Sequence, residues 1–286
     1  MHLTRTIRAI SAACGTMMLA KMAAAQTVIA DLPIVGAPTY GEMGFQPAST
    51  KIARDLQWLD GMINVIIGLI TLFVTLLLIW VIVRYNQRRN PTPARFTHNS
   101  PLEVTWTIVP IVILVVIGAF SLPVLFEEQE IPEGDIVIKV TGNQWFWNYQ
   151  YVDEGIAFDS YQIGYGEGNL NPSISEQLAE AGYTDREFLL ATDTAVVVPL
   201  GATIVMQVTG ADVIHSWTIP AFGVKQDAVP GRLAQLWFSA EREGVFFGQC
   251  SELCGKDHAY MPITVKVVAP EVYEAWLEEA RAEFPA

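Results

Sequence analysis

The sequence predicts two membrane-crossing helices joined as a hairpin and followed by an all-β sandwich. Three observations predict it. Two uncharged apolar runs stand at residues 62–83 and 104–126, each long enough to cross a bilayer. Beyond residue 130 the apolar pattern shortens to strand-length runs bounded by Gly, Pro and Asp. Composition agrees, because 51% of the 286 residues are hydrophobic, a share that calls for membrane segments.

Residues 1–25 read as a secretory signal. Arg5 and Arg8 give a positive start, Ala9 to Ala20 is a short apolar run, and Ala23-Ala-Ala25 suits cleavage before Gln26. Lys21 interrupts the run, which argues against an uncleaved anchor. Residues 26–61 then form an exported segment rich in Pro, Gly and small side chains, in an oxidising compartment. The first apolar run, Met62 to Val83, holds 22 residues. At about 1.5 Å per residue it spans about 33 Å, against about 30 Å for a bilayer core. The second, Val104 to Phe126, contains Pro110 and Pro123, which neighbouring membrane helices tolerate.

Between the runs stand Arg84, Arg88, Arg89 and Arg95 without an acid, which places that loop in the cytoplasm. Glu127, Glu128 and Glu130 follow the second run on the opposite side. Residues 62–126 are therefore the hairpin, and 127–286 an exported domain. Ser100-Pro-Leu-Glu103 opens the second helix, with Ser100 as expected N-cap, Pro101 at the first helical position and Glu103 closing a capping box.

In the exported domain, strands are expected over 135–141, 195–199, 203–209, 233–239 and 263–268. Many short strands without long intervening helices imply a sandwich or barrel, and a cupredoxin-like sandwich fits. Residues 155–192, rich in Gly, Asn, Ser and acids, read as a surface insertion with short helical turns. Glu271 to Glu283 reads as a closing amphipathic helix that packs Val272, Trp276 and Leu277 inward. From Glu127 onward there are 25 acidic and 8 basic residues, a balance of −17. That excludes nucleic acid, whose phosphates demand Lys and Arg, and favours a basic partner.

The chemistry concentrates in Gly248-Gln-Cys250-Ser-Glu252-Leu-Cys254-Gly-Lys-Asp-His258-Ala-Tyr-Met261. His215 stands upstream in Val-Ile-His215-Ser-Trp. Of three Cys and four His in the chain, Cys14 and His2 fall in the expected signal and His98 lies apart. Everything else of either type is in this constellation. Thiolates, imidazoles and a thioether together are what copper selects. A disulfide or a zinc site would use the same thiols, but neither gains from Met261. One Cys too many for a mononuclear copper site leaves two thiolates to bridge two copper ions.

Cys250-Ser-Glu252-Leu-Cys254-Gly-x-x-His258-x-x-Met261, with His215 upstream, resembles the dinuclear CuA signature of subunit II of cytochrome c oxidase. The resemblance implies Cys250 and Cys254 as bridges, His215 and His258 as terminal ligands, Met261 as a weak ligand and the Glu252 carbonyl as another. It also implies that the Glu252 side chain reaches a magnesium or manganese ion shared with subunit I, the chain that would hold the haems. Gln144-Trp145-Phe-Trp147 resembles the aromatic segment of the family, making Trp145 the residue where electrons come in. Pro-Leu-Glu103-Val-Thr resembles the mouth of a proton pathway, a role that stands beside helix capping.

Asp159, Asp193 and Asp212 match acidic positions at the docking face for a c-type cytochrome, while Gln150 departs from that pattern. Implied with these are the other oxidase subunits and membrane lipid as partners. The implied activity is electron uptake by an oxidase that reduces oxygen to water and pumps protons. The implied location is a bacterial inner membrane, with the copper domain in the periplasm. A quinol oxidase subunit lacks the copper ligands, and a nitrous oxide reductase needs a second, His-rich domain. A membrane-anchored copper-delivery or copper-sensing cupredoxin is the alternative outside catalysis.

Overall fold

The structure is a computed structural model that describes Ile29 and residues 31–286. The expected signal, residues 1–25, lies outside the described residues. Contacts divide the chain into two units, one of Asp55–Glu127 and one that joins residues up to Arg54 with Glu128–Ala286.

Two helices, α1 (Lys51–Arg84) and α2 (Ser100–Gln129), account for most of the first unit. Both are long and apolar enough to cross a membrane, and their apolar stretches are unburied within this chain. Such surface is stable only against lipid or another apolar partner. Trp58 and Phe120 meet edge to face, with centroids 5.6 Å apart. Pro110 and Pro123 lie inside α2 without ending it.

The start of α2 corrects one expectation. Asn99, not Ser100, is the cap: its Oδ1 accepts from the Leu102 N–H at 3.2 Å, and the Glu103 carboxylate accepts from the Asn99 N–H at 3.0 Å. The amide side chain reaches the same orphan donors as a serine would from one residue further out. Pro101 is thereby second in the helix, where its missing N–H is still no loss.

The other helix, α1, starts in the second unit, eleven residues before the uncharged run. Thr50 caps it, accepting from the Ala53 N–H at 3.0 Å and donating to the Phe222 carbonyl at 2.7 Å. Arg54 pairs with Glu241.

Two sheets form the second unit. One has strand order β1 (Ile34–Gly36), β10 (Gly244–Gln249), β11 (Pro262–Val268), β5 (Val196–Pro199). The other runs β4 (Ile156–Ser160), β3 (Phe146–Tyr151), β2 (Ile136–Asn143), β6 (Thr203–Gly210), β9 (Ala234–Ser239). A separate ribbon pairs β7 (His215–Ile219) with β8 (Val224–Ala228). Alternation puts Ile138, Val140, Trp147, Tyr149, Tyr151, Ile204, Met206 and Val208 into one core with Phe246 and Val265 of the opposite sheet. Tyr151 bridges the sheets, donating to the Val197 carbonyl at 2.7 Å and accepting from its N–H at 3.0 Å. The expected strands are all present, and β1 adds residues that precede the membrane helices.

The closing helix α4 (Pro270–Glu283) buries Tyr273, Leu277 and Ala280, with Val272 and Trp276 packed half-buried beside them. Residues 155–192 need a correction. Their first part is a core strand, β4, paired with β3 across the turn that Gly155 makes at φ 65°. The insertion proper follows Ser160. It carries helix α3 (Pro172–Glu180), capped by Asn171, and a short 3₁₀ turn. A small second core of Ile163, Ile174, Leu178, Tyr183 and Ala191 seats it on Val245 and Phe247, the outward side chains of β10.

Candidate metal centre

The donor loop is the hairpin connection between β10 and β11. Register runs from Gly244 opposite Val267 to Gln249 opposite Pro262, so Cys250 and Met261 come next and face each other. The Cys250 N–H donates to the Met261 carbonyl at 3.0 Å. His215 arrives on β7, which lies across β10 so closely that a Cβ on Gly248 would stand 1.8 Å from the Thr218 carbonyl oxygen. Glycine there is what lets the histidine strand reach the cysteine strand. A hydrogen bond from the Ser251 N–H to the Ser216 carbonyl, 3.0 Å, closes the junction.

Sulfur and nitrogen converge as a result. The thiols of Cys250 and Cys254 are free and 3.8 Å apart. His215 Nδ1 lies 3.9 Å from the Cys250 sulfur and His258 Nδ1 3.6 Å from the Cys254 sulfur. Donor atoms of His215, Cys250 and Cys254 all fall within 4.8 Å of one another. The Glu252 carbonyl points inward, 3.3 Å from the Cys250 sulfur, while its side chain is exposed. His215, Cys250, Cys254 and Met261 are buried; His258 is half-buried.

Electrostatics favour a cation here. His215 Nε2 bonds the Asp212 carboxylate at 2.8 Å, which leaves Nδ1 as the lone-pair nitrogen facing the sulfurs. Burial alone would raise the Asp212 carboxyl, but bonds from His215 and from the Val213 and Gln144 N–H groups hold it below its usual range. For His215 burial pulls the pKa down, and Cys250 and Asp212 together push it above the usual value. Burial likewise disfavours the Cys250 thiolate, yet His215 and nearby backbone N–H groups bring that thiol down. Burial and then the Cys250 charge push the Cys254 thiol up. Two adjacent thiols thus lose protons one after the other, and a cation between them would remove the conflict. A closed set of soft donors that includes the oriented His215 imidazole fits copper.

Around the centre, the β2–β3 turn contributes Gln144 and Trp145. Gln144 Nε2 donates to the Cys254 carbonyl at 2.7 Å, and the Gln144 N–H donates to Asp212 at 2.8 Å. Trp145 is half-buried against Gly255, where a Cβ would approach its ring to 3.0 Å, and the Lys256 ammonium lies 5.4 Å from a Trp145 ring centroid. Trp147 is fully buried and meets the His215 ring edge to face at 5.9 Å.

Other singled-out residues lie elsewhere. Asp159, on β4, accepts from Asn148 at 2.8 Å, and Asp193 accepts from the Tyr161 N–H at 2.9 Å. Glu103 stands in the first turn of α2, in the other unit. Sequence reasoning missed the local work of Asp212 and Gln144. For Asp212 the signal was its spacing, three residues before His215; for Gln144 only the fold provides it.

Residues 136–268 match the family described as cytochrome c oxidase subunit II, periplasmic domain, and residues 38–124 match the transmembrane domain of the same subunit. The chain is 62% identical over 285 residues to cytochrome c oxidase subunit 2 of Cereibacter sphaeroides, covering 98% of this chain and 93% of that one. It is 42% identical over 241 residues to a probable cytochrome c oxidase subunit 2 of Rickettsia bellii, 84% of each chain. Among solved structures, the periplasmic domain of subunit II of cytochrome oxidase from Bradyrhizobium japonicum is similar at 45% identity and a TM-score of 0.45, covering 54% of this chain and 99% of that one.

Proposed function

The chain belongs to the cytochrome c oxidase subunit II family, and we propose that it is the subunit through which such an oxidase takes up electrons. The observation that carries this reading is the pairing of two free, adjacent thiols with two imidazole Nδ1 atoms. Cys250 and Cys254 would bridge two copper ions, with His215, His258, Met261 and the Glu252 carbonyl completing the set. Copper held this way supplies a store for one electron, shared across soft thiolates. Burial of His215, Cys250, Cys254 and Met261 keeps water from the donors and fixes their positions before and after an electron arrives.

Trp145 is the proposed point of electron uptake, since it is half-buried against Gly255 of the ligand loop. Asp212 adds negative charge beside the centre, and with Asp159 and Asp193 on the same unit it would steer a basic donor such as a cytochrome c. The Glu252 side chain, exposed here, would reach a magnesium or manganese ion held jointly with subunit I, where the haems lie. Glu103 would both close the helix cap and take up protons. In this reading α1 and α2 sit in a bacterial inner membrane among lipid and the other subunits. The β unit then lies in the periplasm, after removal of residues 1–25.

The test uses the full chain, because β1 and the start of α1 belong to the exported unit. We expect purification through this chain to bring down a haem protein and two copper ions per chain. The electron paramagnetic resonance (EPR) spectrum should show one unpaired electron shared by both copper nuclei. One exchangeable copper with no haem partner would replace this reading with copper delivery or sensing. Zinc in the site would sink both.

A further inference from the structure

We infer that the insertion following Ser160 is a clamp on the metal loop, and that Tyr165 and Asp257 are positioning residues for His258. This rests on the reading of the loop as a copper site and assigns a role to a segment that otherwise has none.

The insertion is anchored where the loop begins. Its small core packs on Val245 and Phe247 of β10, the strand that ends one residue before Cys250. Leu189, held at φ 72°, offers its carbonyl to the Gln249 side chain at 3.5 Å. From that base, residues 164–168 turn back through three glycines at positive φ, a path open to glycine at little cost. They bring the Tyr165 hydroxyl to the Asp257 carboxylate at 3.0 Å. The two segments enclose a cleft of about 340 Å³ lined by Tyr165, Gly166, Gly168, Lys256, Asp257 and Tyr260.

Asp257 is the cap residue of the 3₁₀ turn that carries His258, yet its carboxylate makes no capping bond there. It is turned outward instead, to Tyr165 and to the Lys256 ammonium at 3.4 Å. The turn is otherwise held by long or single bonds, His258 N–H to Gly255 at 3.3 Å and Tyr260 N–H to Asp257 at 2.9 Å. His215 has a carboxylate on its far nitrogen, whereas among the described residues the His258 ring meets only the cysteine sulfurs. Its position is therefore set by its backbone, and the backbone is tied to the insertion at Asp257.

Two readouts test this in the oxidase complex carrying the full chain. In the copper-free protein, Tyr165→Phe should speed hydrogen exchange at the His258 and Tyr260 amides about five-fold, the worth of one net hydrogen bond. In the copper-loaded complex, bicinchoninate under reducing conditions should withdraw copper faster by a similar factor. The EPR coupling to one histidine nitrogen should also change. Asp257→Ala should reproduce both effects, and Asp257→Asn, whose amide oxygen still accepts from Tyr165, should restore the wild-type values. Tyr165→Phe combined with Asp257→Ala should add nothing. Unchanged exchange in Tyr165→Phe, or additive losses in the double variant, overturns the clamp. Should the wild type show no shared-electron signal while the exchange effect persists, the copper reading falls and the clamp stands.

Discussion

His215 and Cys250 stand on the floor of the metal centre, and His258 and Cys254 at its rim. The two pairs are held by different means. On the floor, packing does the work: His215 is fully buried, its ring meets Trp147 edge to face, and Gly142 against that ring and Gly248 against Thr218 leave no room for a Cβ. At the rim, single hydrogen bonds hold the loop: Gln144 on the Cys254 carbonyl and Tyr165 on the Asp257 carboxylate. A floor built by packing is inseparable from the fold, because its atoms are also core atoms. A rim held by polar bonds can be altered while the sandwich stays intact. The difference predicts which substitutions unfold the protein and which only loosen its metal.

The largest effect is expected at Gly248. A methyl there would meet a backbone carbonyl at 1.8 Å, and backbone has no rotamer in which to retreat. Gly248→Ala should therefore exceed the ordinary cost of overpacking, lowering stability by more than about 3 kcal/mol with loss of metal binding. Thermal unfolding of the full chain measures it. A loss below about 1 kcal/mol would mean that β7 and β10 can part, and the floor would no longer differ from the rim.

Gly142→Ala comes next. Its Cβ would lie 2.8 Å from the His215 ring, a side chain that can shift, so about 2 kcal/mol is expected. The displaced ring should change the metal spectrum as well. An unchanged spectrum with full stability would show that the floor has slack.

Asp212 joins floor and rim, since its carboxylate takes both the His215 ring and the Gln144 N–H. Asp212→Ala should weaken copper affinity roughly 10-fold, the low end for an outer-shell carboxylate because the side chain is one-third exposed. Competition against a chelator of known affinity gives the number. The same substitution should leave the Tm within about 2 °C, as expected of a partly exposed polar group. A fall of several degrees would place Asp212 with the packing residues.

How far the sequence discloses this arrangement follows from how each part is built. Cys250, Glu252, Cys254, His258 and Met261 lie in one hairpin connection, so their spacing alone brings them together. His215 is recognisable by its rarity. The strands with clean alternation, such as β2 and β6, were legible for the same local reason. Others were not. β8 reads Val-Lys-Gln-Asp-Ala, too polar to stand out, and β10 is apolar on both faces because the insertion covers its outer side. β4 reads as part of the insertion because its five residues follow a Gly-containing turn without a long apolar run. Asn99 and Ser100 compete for one capping geometry, and side-chain reach decides between them. Gln144 could not be found at all, because the parallel register of β2 and β6, with Gly142 opposite Gly210, is what sets its turn beside Asp212 and Cys254.

Gln144→Ala is the smallest perturbation and the sharpest on the comparison. It removes the bond to the Cys254 carbonyl at 2.7 Å but leaves the Gln144 N–H on Asp212, so the floor keeps its partner. One hydrogen bond at the rim is worth about 1 kcal/mol net. Copper should leave Gln144→Ala about five-fold faster, while the His215 spectral contribution and the Tm stay at wild-type values. If the His215 signal moves as well, floor and rim form one cooperative unit through Asp212. The losses from Asp212→Ala and Gln144→Ala would then fail to add, as for any two residues that share a partner.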